Sequence, residues 1–366
     1  MKELQDILAR IETLAQNEKA ILATVVDVQG SSYRLPGAKM LIVENGETFG
    51  TVSGGCLEAD VLERAAQVLR TGAAQILTYD TTANDDSVFS LNMGCRGIVR
   101  ILLEPVQNNQ YFDFVKNCFE TRQIGVAATL IRTSVETNLK AGARLFINET
   151  AIWGNDFEAE LSEQLAAAAH EALQNERSFC ETYRTNNVTA EFFVEIIKPP
   201  TNLTVFGAGA DAVPLVEAAK NLGWRVSLVD HRPAFATTER FPTADRILIS
   251  RYDNLEIEAN AVGIIMTHNY EHDRRILKTL LKSETRYVGI LGPKRRTENL
   301  LQELADAGEV FSENDLNKLY APVGLDIGAD TPESIAVSIV AEIQAALSNR
   351  AGGFLKNRQG SIYNRK

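Results

Sequence analysis

The chain reads as an α/β protein in two main parts: an N-terminal mixed α/β domain carrying cysteine loops, and a C-terminal Rossmann-like domain built on a doubly wound parallel sheet. Three observations predict this. Gly207-Ala208-Gly209-Ala210-Asp211-Ala212 follows a short apolar strand and opens a helix, which is the G-x-G-x-x-A pattern in the context it requires. Strand and helix patterns alternate from there to the last helix, as a parallel sheet with crossovers demands. Ahead of both lies Lys198-Pro199-Pro200-Thr201, a linker, because consecutive prolines extend neither helix nor strand. A length of 366 residues exceeds one ordinary core. The expected division is an N-terminal domain over 1–105, a middle α/β region over 106–198 packed with it, the Rossmann-like domain over 201–349, and a basic tail over 350–366.

Taken in order, Leu4, Ile7, Leu8, Ile11 and Leu14 form a helical stripe over residues 2–17. Residues 20–28 (AILATVVDV) read as a buried strand and 39–43 as the next, and Asn45-Gly46 is a tight-hairpin signal whose return strand ends at Val52. A helix fits 57–69, and strands fit 74–79 and 97–103. Residues 110–197 mix both patterns without a motif, and no internal repeat is evident. Strands then fit 203–206, 225–229, 246–249, 261–266 and 287–291, with a helix from the glycine turn to Leu222. Thr331 can cap the last helix, Pro332 suits its first turn, and Glu333 complements its dipole.

The formal net charge of −11 argues against nucleic acid or an anionic membrane as the main partner. No apolar run approaches membrane-spanning length. Four cysteines at irregular spacing do not make a disulfide framework and read as reduced thiols of a cytoplasmic protein.

Two of those cysteines sit among glycines. Ser53-Gly54-Gly55-Cys56 lies where a strand meets a helix start, and Gly94-Cys95-Arg96-Gly97 is the second such site. Glycines let a ligand approach the backbone closely, a thiol is a soft nucleophile or metal ligand, and a helix N-terminus favours thiolates and bound oxyanions. The alternative for each is a small core thiol at a tight turn; Cys118 and Cys180, without glycines, are core. In the C-terminal part, Gly207 and Gly209 would face a pyrophosphate, and Asp230, ending the second strand, would meet a ribose hydroxyl, so NAD(P) or another nucleotide is the expected ligand. His268 and Asn269 follow the fourth strand, where open α/β sheets bind ligands. His268 and His272, four apart, could share a helical face as metal ligands, with ligand contact without metal the favoured alternative. Lys294, in Gly292-Pro293-Lys294-Arg295-Arg296, brings positive charge to a helix start, either as an anion-binding rim or as a solvated face.

Together these segments resemble the XdhC/CoxI family. Gly30-Ser31-Ser32, Pro36-Gly37-Ala38, Ser53 to Glu58 and Gly94-Cys95 resemble its N-terminal part. Asp230-His231-Arg232-Pro233, Arg240-Phe241-Pro242, Met266-Thr267-His268-Asn269, Gly289-Ile290-Leu291-Gly292 and Gly324-Leu325-Asp326-Ile327-Gly328-Ala329 resemble its Rossmann part. The chain departs from the family at Tyr33, where proline is frequent, at Ala210, where histidine is frequent, and at Arg96, where glycine is usual. The resemblance implies a chaperone that binds molybdenum cofactor, shields it and passes it to an apo molybdenum hydroxylase such as xanthine dehydrogenase, with a cysteine desulfurase as a further partner and a homodimer as its state. It makes Cys56 the residue that touches the cofactor, as a molybdenum ligand, and Cys95 the second candidate. Two other readings stand beside it: a sulfur or nucleotidyl transferase using Cys56 as carrier, and an NAD(P)-dependent oxidoreductase using the Rossmann loop.

Overall fold

The computed structural model describes residues 2–15, 17–80, 97–106, 110–134, 139–360 and 362. The chain divides into two compact units, Glu3–Pro199 and, chiefly, Pro200–Lys366. No helix among the described residues is long and apolar enough to cross a membrane.

The first unit runs α1 (Lys2–Glu12), β1 (Ala20–Gly30), β2 (Lys39–Val43), β3 (Thr48–Gly50), α2 (Glu58–Thr71), β4 (Gln75–Asp80) and β5 (Gly97–Pro105). It then runs α3 (Gln110–Thr121), β6 (Gly125–Thr133), β7 (Arg144–Ile147), β8 (Ile152–Gly154), α4 (Ala159–Asn175), β9 (Phe179–Arg184) and β10 (Thr189–Ile197). The second series repeats the first element by element. Each makes a five-stranded antiparallel sheet, in the orders β3-β2-β1-β5-β4 and β8-β7-β6-β10-β9. The register agrees as well. Thr24 opposes Lys39 as Thr129 opposes Arg144, Leu22 opposes Glu104 as Ala127 opposes Glu195, and both central strands carry a bulge, at Val26 and at Ile131. The chain is therefore internally duplicated, contrary to the reading that it contains no repeat. The traces in sequence are short: Ala23-Thr24-Val25-Val26 with Ala128-Thr129-Leu130-Ile131, and Gly37-Ala38-Lys39 with Gly142-Ala143-Arg144.

Strand alternation sorts the two faces of each sheet. Ile21, Ala23 and Val25 pack with Val61, Ala65 and Val68 of α2; Val126, Ala128 and Leu130 pack with Leu161, Leu165 and Ala169 of α4. The opposite faces meet each other. Val26, Leu102, Ile131 and Phe193 form one inner cluster, and α1 and α3 join the strands in another through Ile7, Phe114 and Val115.

This inner layer also holds two reciprocal ion pairs. Lys39, first in β2, reaches Glu195 of β10, and Arg144, first in β7, reaches Glu104 of β5. Each half thus lends a cation to the carboxylate of the other. Arg144 Nε also donates to Thr129 Oγ1 at 3.2 Å, whereas lysine has no such nitrogen and Thr24 Oγ1 stays buried without a partner.

Gly50 and Gly154 end matching strands for a shared reason. Their φ values are +79° and +136°, and a Cβ would lie 2.4 Å from the Lys39 carbonyl oxygen and 2.3 Å from that of Arg144. Gly50→Ala is expected to destabilise the protein by about 2–3 kcal/mol, read as a lower urea midpoint at unchanged slope. A cost within about 0.5 kcal/mol, typical of an ordinary surface site, would contradict this.

The second unit runs β11 (Asn202–Phe206), α5 (Ala212–Asn221), β12 (Arg225–Asp230), β13 (Arg246–Ile249), β14 (Val262–Ile265), α6 (Tyr270–Lys282), β15 (Tyr287–Ile290), α7 (Lys294–Asp306), α8 (Glu313–Asn317), β16 (Leu319–Tyr320) and α9 (Pro332–Leu347). The strands form a parallel sheet in the order β13-β12-β11-β14-β15-β16. Leu215 of α5 and Ile339 of α9 belong to the core on one face, and Leu277 of α6 and Leu300 of α7 to the core on the other. This is the doubly wound arrangement. Strand order reverses between β11 and β14, so the ligand-binding crevice of such a sheet lies at their carboxyl ends. Thr331 caps α9 as expected, its hydroxyl accepting from Ser334 N at 3.3 Å.

Candidate functional site

Residues 51–57 link β3 to α2 and carry the first cysteine. The helix cannot begin at Gly54-Gly55 without fixing two flexible residues, and Leu57 at its N-cap has no side chain to offer. Ser53 takes over: its Oγ accepts from Gly55 N at 3.2 Å and Leu57 N at 3.1 Å. Ser53 in turn donates through its hydroxyl to Glu58 Oε2 and through its backbone N to Oε1 at 2.9 Å, and Thr51 Oγ1 also donates to Oε1. Burial opposes the charge on Glu58, yet these hydrogen bonds from Ser53 and Thr51 hold its carboxyl below the ordinary value. The result is a stiff loop with Ser53 and Leu57 buried and Gly54, Gly55 and Cys56 exposed. The Cys56 thiol is 3.7 Å from Ser53 Oγ. Gly55 has φ +108° and no atom within 4 Å of where a Cβ would stand, so the backbone beside the thiol is open to a ligand.

The duplicate half provides an internal comparison. Counting from Gly50 and Gly154, or back from the left-handed C-caps Gly72 and Glu176, Cys56 falls opposite Glu160. That position lies inside α4, which starts at Ala159, while α2 starts only at Glu58. Ser53 falls opposite Phe157, whose ring packs on Phe192 at 5.3 Å. One half therefore continues its helix, with Glu160 exposed on it, and the other unwinds the same turn through Gly-Gly and exposes a thiol.

Gly94 and Cys95 lie outside the described residues. Cys118 is 1% exposed and burial pushes its thiol up to about 11; burial likewise pushes Cys180, beside Arg100 at 3.4 Å, up to about 12. Neither is poised to react at neutral pH.

In the second unit, the structure gathers Gly207, Gly209, Asp230 and His268 at the carboxyl ends of β11, β12 and β14. Gly207 has φ +118°, and a Cβ there would lie 2.4 Å from the Met266 carbonyl oxygen, so glycine lets the two loops touch at the reversal of strand order. Asp230 is wholly buried. Its Oδ2 accepts from Ala208 N at 2.6 Å and Arg232 Nη2 at 2.8 Å, and its Oδ1 accepts from Arg232 N at 2.8 Å and Nε at 3.0 Å. A ribose hydroxyl would have to displace one of these donors. In this geometry Asp230 ties the glycine loop to β12 and holds Arg232. Burial opposes its charge, but Arg232 and the backbone of Ala208 keep its carboxyl below the ordinary value.

His268 and His272 do not share a helical face. His268 precedes the helix, at φ +57°, and its Nε2 meets Asp211 Oδ2 at 2.7 Å. His272 lies in the first turn of α6 with its ring 4.5 Å from that of His231. Asn269 separates the two histidines as the N-cap of α6, its Oδ1 accepting from His272 N at 3.0 Å. No group of three His, Cys, Asp or Glu able to hold a metal occurs among the described residues. Lys294 begins α7 and is exposed, while Arg296 turns inward to Asp273 at 2.6 Å. Two arginines missed as site residues flank the glycine loop. Arg240 donates to the Ala208 carbonyl oxygen at 3.0 Å, and it and Arg232 both lie against the Phe235 ring, the guanidinium carbons 5.0 and 4.2 Å from its centre. Their signal was the pair of short motifs in which they stand.

Known proteins resemble this chain over most of its length. Residues 13–80 match the model of the XdhC and CoxI family, and residues 203–343 match that of the XdhC Rossmann domain. A probable xanthine dehydrogenase subunit of Bacillus subtilis (strain 168) is 32% identical over 336 residues, covering 90% of this chain and 94% of that protein. The molybdenum cofactor insertion chaperone PaoD of Escherichia coli (strain K12) is 22% identical over 339 residues, covering 91% of this chain and 85% of PaoD. Among solved structures, the crystal structure of a xanthine dehydrogenase from Bacillus halodurans superposes with a TM-score of 0.75 at 30% identity, covering 98% of both chains. With its cysteine loop on the first sheet and its glycine loop on the second unit, the chain belongs to the XdhC/CoxI family.

Proposed function

We propose that this protein is a molybdenum cofactor chaperone: it binds the cofactor at the Ser53–Cys56 loop, shields it, and delivers it to an apo molybdenum hydroxylase of the xanthine dehydrogenase type. The observation that carries this is the Cys56 thiol, exposed on a turn that the duplicate half keeps helical. Molybdenum accepts soft sulfur ligands, and the cofactor's phosphate suits the nearby N-terminus of α2. The Glu58 carboxylate, kept ionised by hydrogen bonds from Ser53 and Thr51, opposes an anion there, so the reading rests on the thiol. The relatives named for xanthine dehydrogenase and for cofactor insertion supply the class of client. A cysteine desulfurase acting on the bound cofactor would install its terminal sulfur before transfer.

At the glycine loop of the second unit, a nucleotide is the accompanying proposal. Its phosphates would meet the start of α5 and Arg232, while Asp230 would act only through Arg232.

The test is anaerobic binding of molybdenum cofactor to the purified protein, with Cys56→Ala in parallel. Cys56 is exposed, so the substitution is expected to leave the melting temperature unchanged and to abolish retention of the cofactor. Equal retention by the variant would overturn the assignment of Cys56. A persulfide on Cys56 with no cofactor bound would instead favour a sulfur carrier.

A further inference from the structure

We propose that the ring of Tyr33 is the platform on which the planar pyrimidine ring of the cofactor's pterin stacks, an inference that rests on the cofactor reading above. It starts from Gly54. Gly55 needs glycine for its backbone, but Gly54 is not among the residues of positive φ. What a side chain at Gly54 would meet is Tyr33: a Cβ there would lie 3.1 Å from Cγ, 3.2 Å from Cδ1 and 3.3 Å from Cδ2. Near-equal distances to three bonded ring atoms mean that the face of the ring, not its edge, covers Gly54. Yet Tyr33 is 68% exposed, so its other face is open to solvent, two residues along the glycine turn from the exposed thiol.

The chain that follows the ring is tied down. Arg34 pairs with Glu3 of α1. Gly37 N donates to the Val25 carbonyl oxygen at 2.8 Å, and Ala38 N to that of Leu35 at 3.1 Å. Tyrosine has few rotatable bonds, so its ring loses little freedom when a ligand covers it. A planar heteroaromatic ligand matches an open aromatic face backed by glycine, because stacking is favourable for any such ring while its polar edges stay free for hydrogen bonds. At the matching turn the second half starts its helix, and Phe157, opposite Ser53, packs on Phe192.

The experiment uses the full chain and two ligands: molybdenum cofactor under anaerobic conditions, its retention read by molybdenum content, and a free fluorescent oxidised pterin lacking metal, dithiolene and phosphate. Tyr33→Phe is expected to bind both as the wild type does. Tyr33→Ala is expected to bind both about tenfold more weakly and to lose the quenching of the free pterin's fluorescence that stacking causes. Cys56→Ala should lose the cofactor and keep the free pterin, which separates the two assignments. Wild-type affinity and quenching in Tyr33→Ala would overturn the platform. Failure of the wild type to bind free pterin would overturn it too. Failure to bind cofactor, with Tyr33-dependent binding of free pterin intact, would overturn the chaperone reading and keep the platform.

Discussion

Replacing Glu195 with alanine is expected to lower the unfolding free energy by about 3–5 kcal/mol. Glu195 is 6% exposed and Lys39 3% exposed, in the layer between the two sheets. Glu195 accepts from Lys39 on one oxygen and from Tyr111 Oη, at 3.1 Å, on the other. Removing the carboxylate leaves an ammonium and a phenol buried without their acceptor, and that uncompensated charge, not the lost attraction, sets the cost. The double variant Lys39→Met with Glu195→Leu removes both charges and is expected to recover at least half of the loss. Urea unfolding followed by circular dichroism measures both. A single-variant loss below about 1 kcal/mol, the range of exposed ion pairs, would show that water reaches this layer.

Asp230→Ala is the second large effect. It strips four hydrogen bonds from the junction of the glycine loop and β12, leaves the Ala208 N–H without its acceptor and frees Arg232. We expect a loss of about 3 kcal/mol in the second unit. The chain has two tryptophans, one in each unit, so a Trp153→Phe background lets Trp224 report the second unit alone. The pH dependence has a definite sign. Because the folded carboxyl lies below its ordinary value, its contribution is complete above the unfolded aspartate range, near about 3.9, and fades as pH falls through the lower folded value. The gap between wild type and Asp230→Asn should therefore be constant from neutral pH down to about 5 and narrow below about 4. A gap that widens on acidification would mean that the carboxyl is not held ionised by Arg232 and Ala208.

Local patterns made much of the fold legible. Strands placed at 39–43 and 246–249 coincide with β2 and β13, and Thr331 and Pro332 marked the start of α9. The first helix ends at Glu12, earlier than the apolar stripe over 2–17 implied, because Leu14 continues the stripe beyond the last helical turn. The duplication stayed hidden because a sheet needs only buried alternation and turns at set places, which many sequences satisfy. Valine answers leucine, lysine answers arginine, and few identities survive.

At the candidate sites, residue type was legible and partnership was not. Ser53-Gly54-Gly55-Cys56 announced a tight loop at a helix start, because glycine and a capping serine act on their immediate neighbours. Spacing also suggested that His268 could stand beside His272 and that Asp230 could face a ribose. Asn269 starts the helix between the histidines, and Arg232 and Ala208 N take up the carboxylate. By itself, the sequence determined the short-range features: where helices start, where glycine must stand, and which faces are apolar. Only the tertiary structure decided that Lys39 meets Glu195, that Tyr33 lies on Gly54, and that of two equivalent turns the one carrying Cys56 is unwound. Those outcomes depend on contacts between residues far apart in the chain, and the free energy of a buried charge or a packed ring is set by what surrounds it, not by what precedes it.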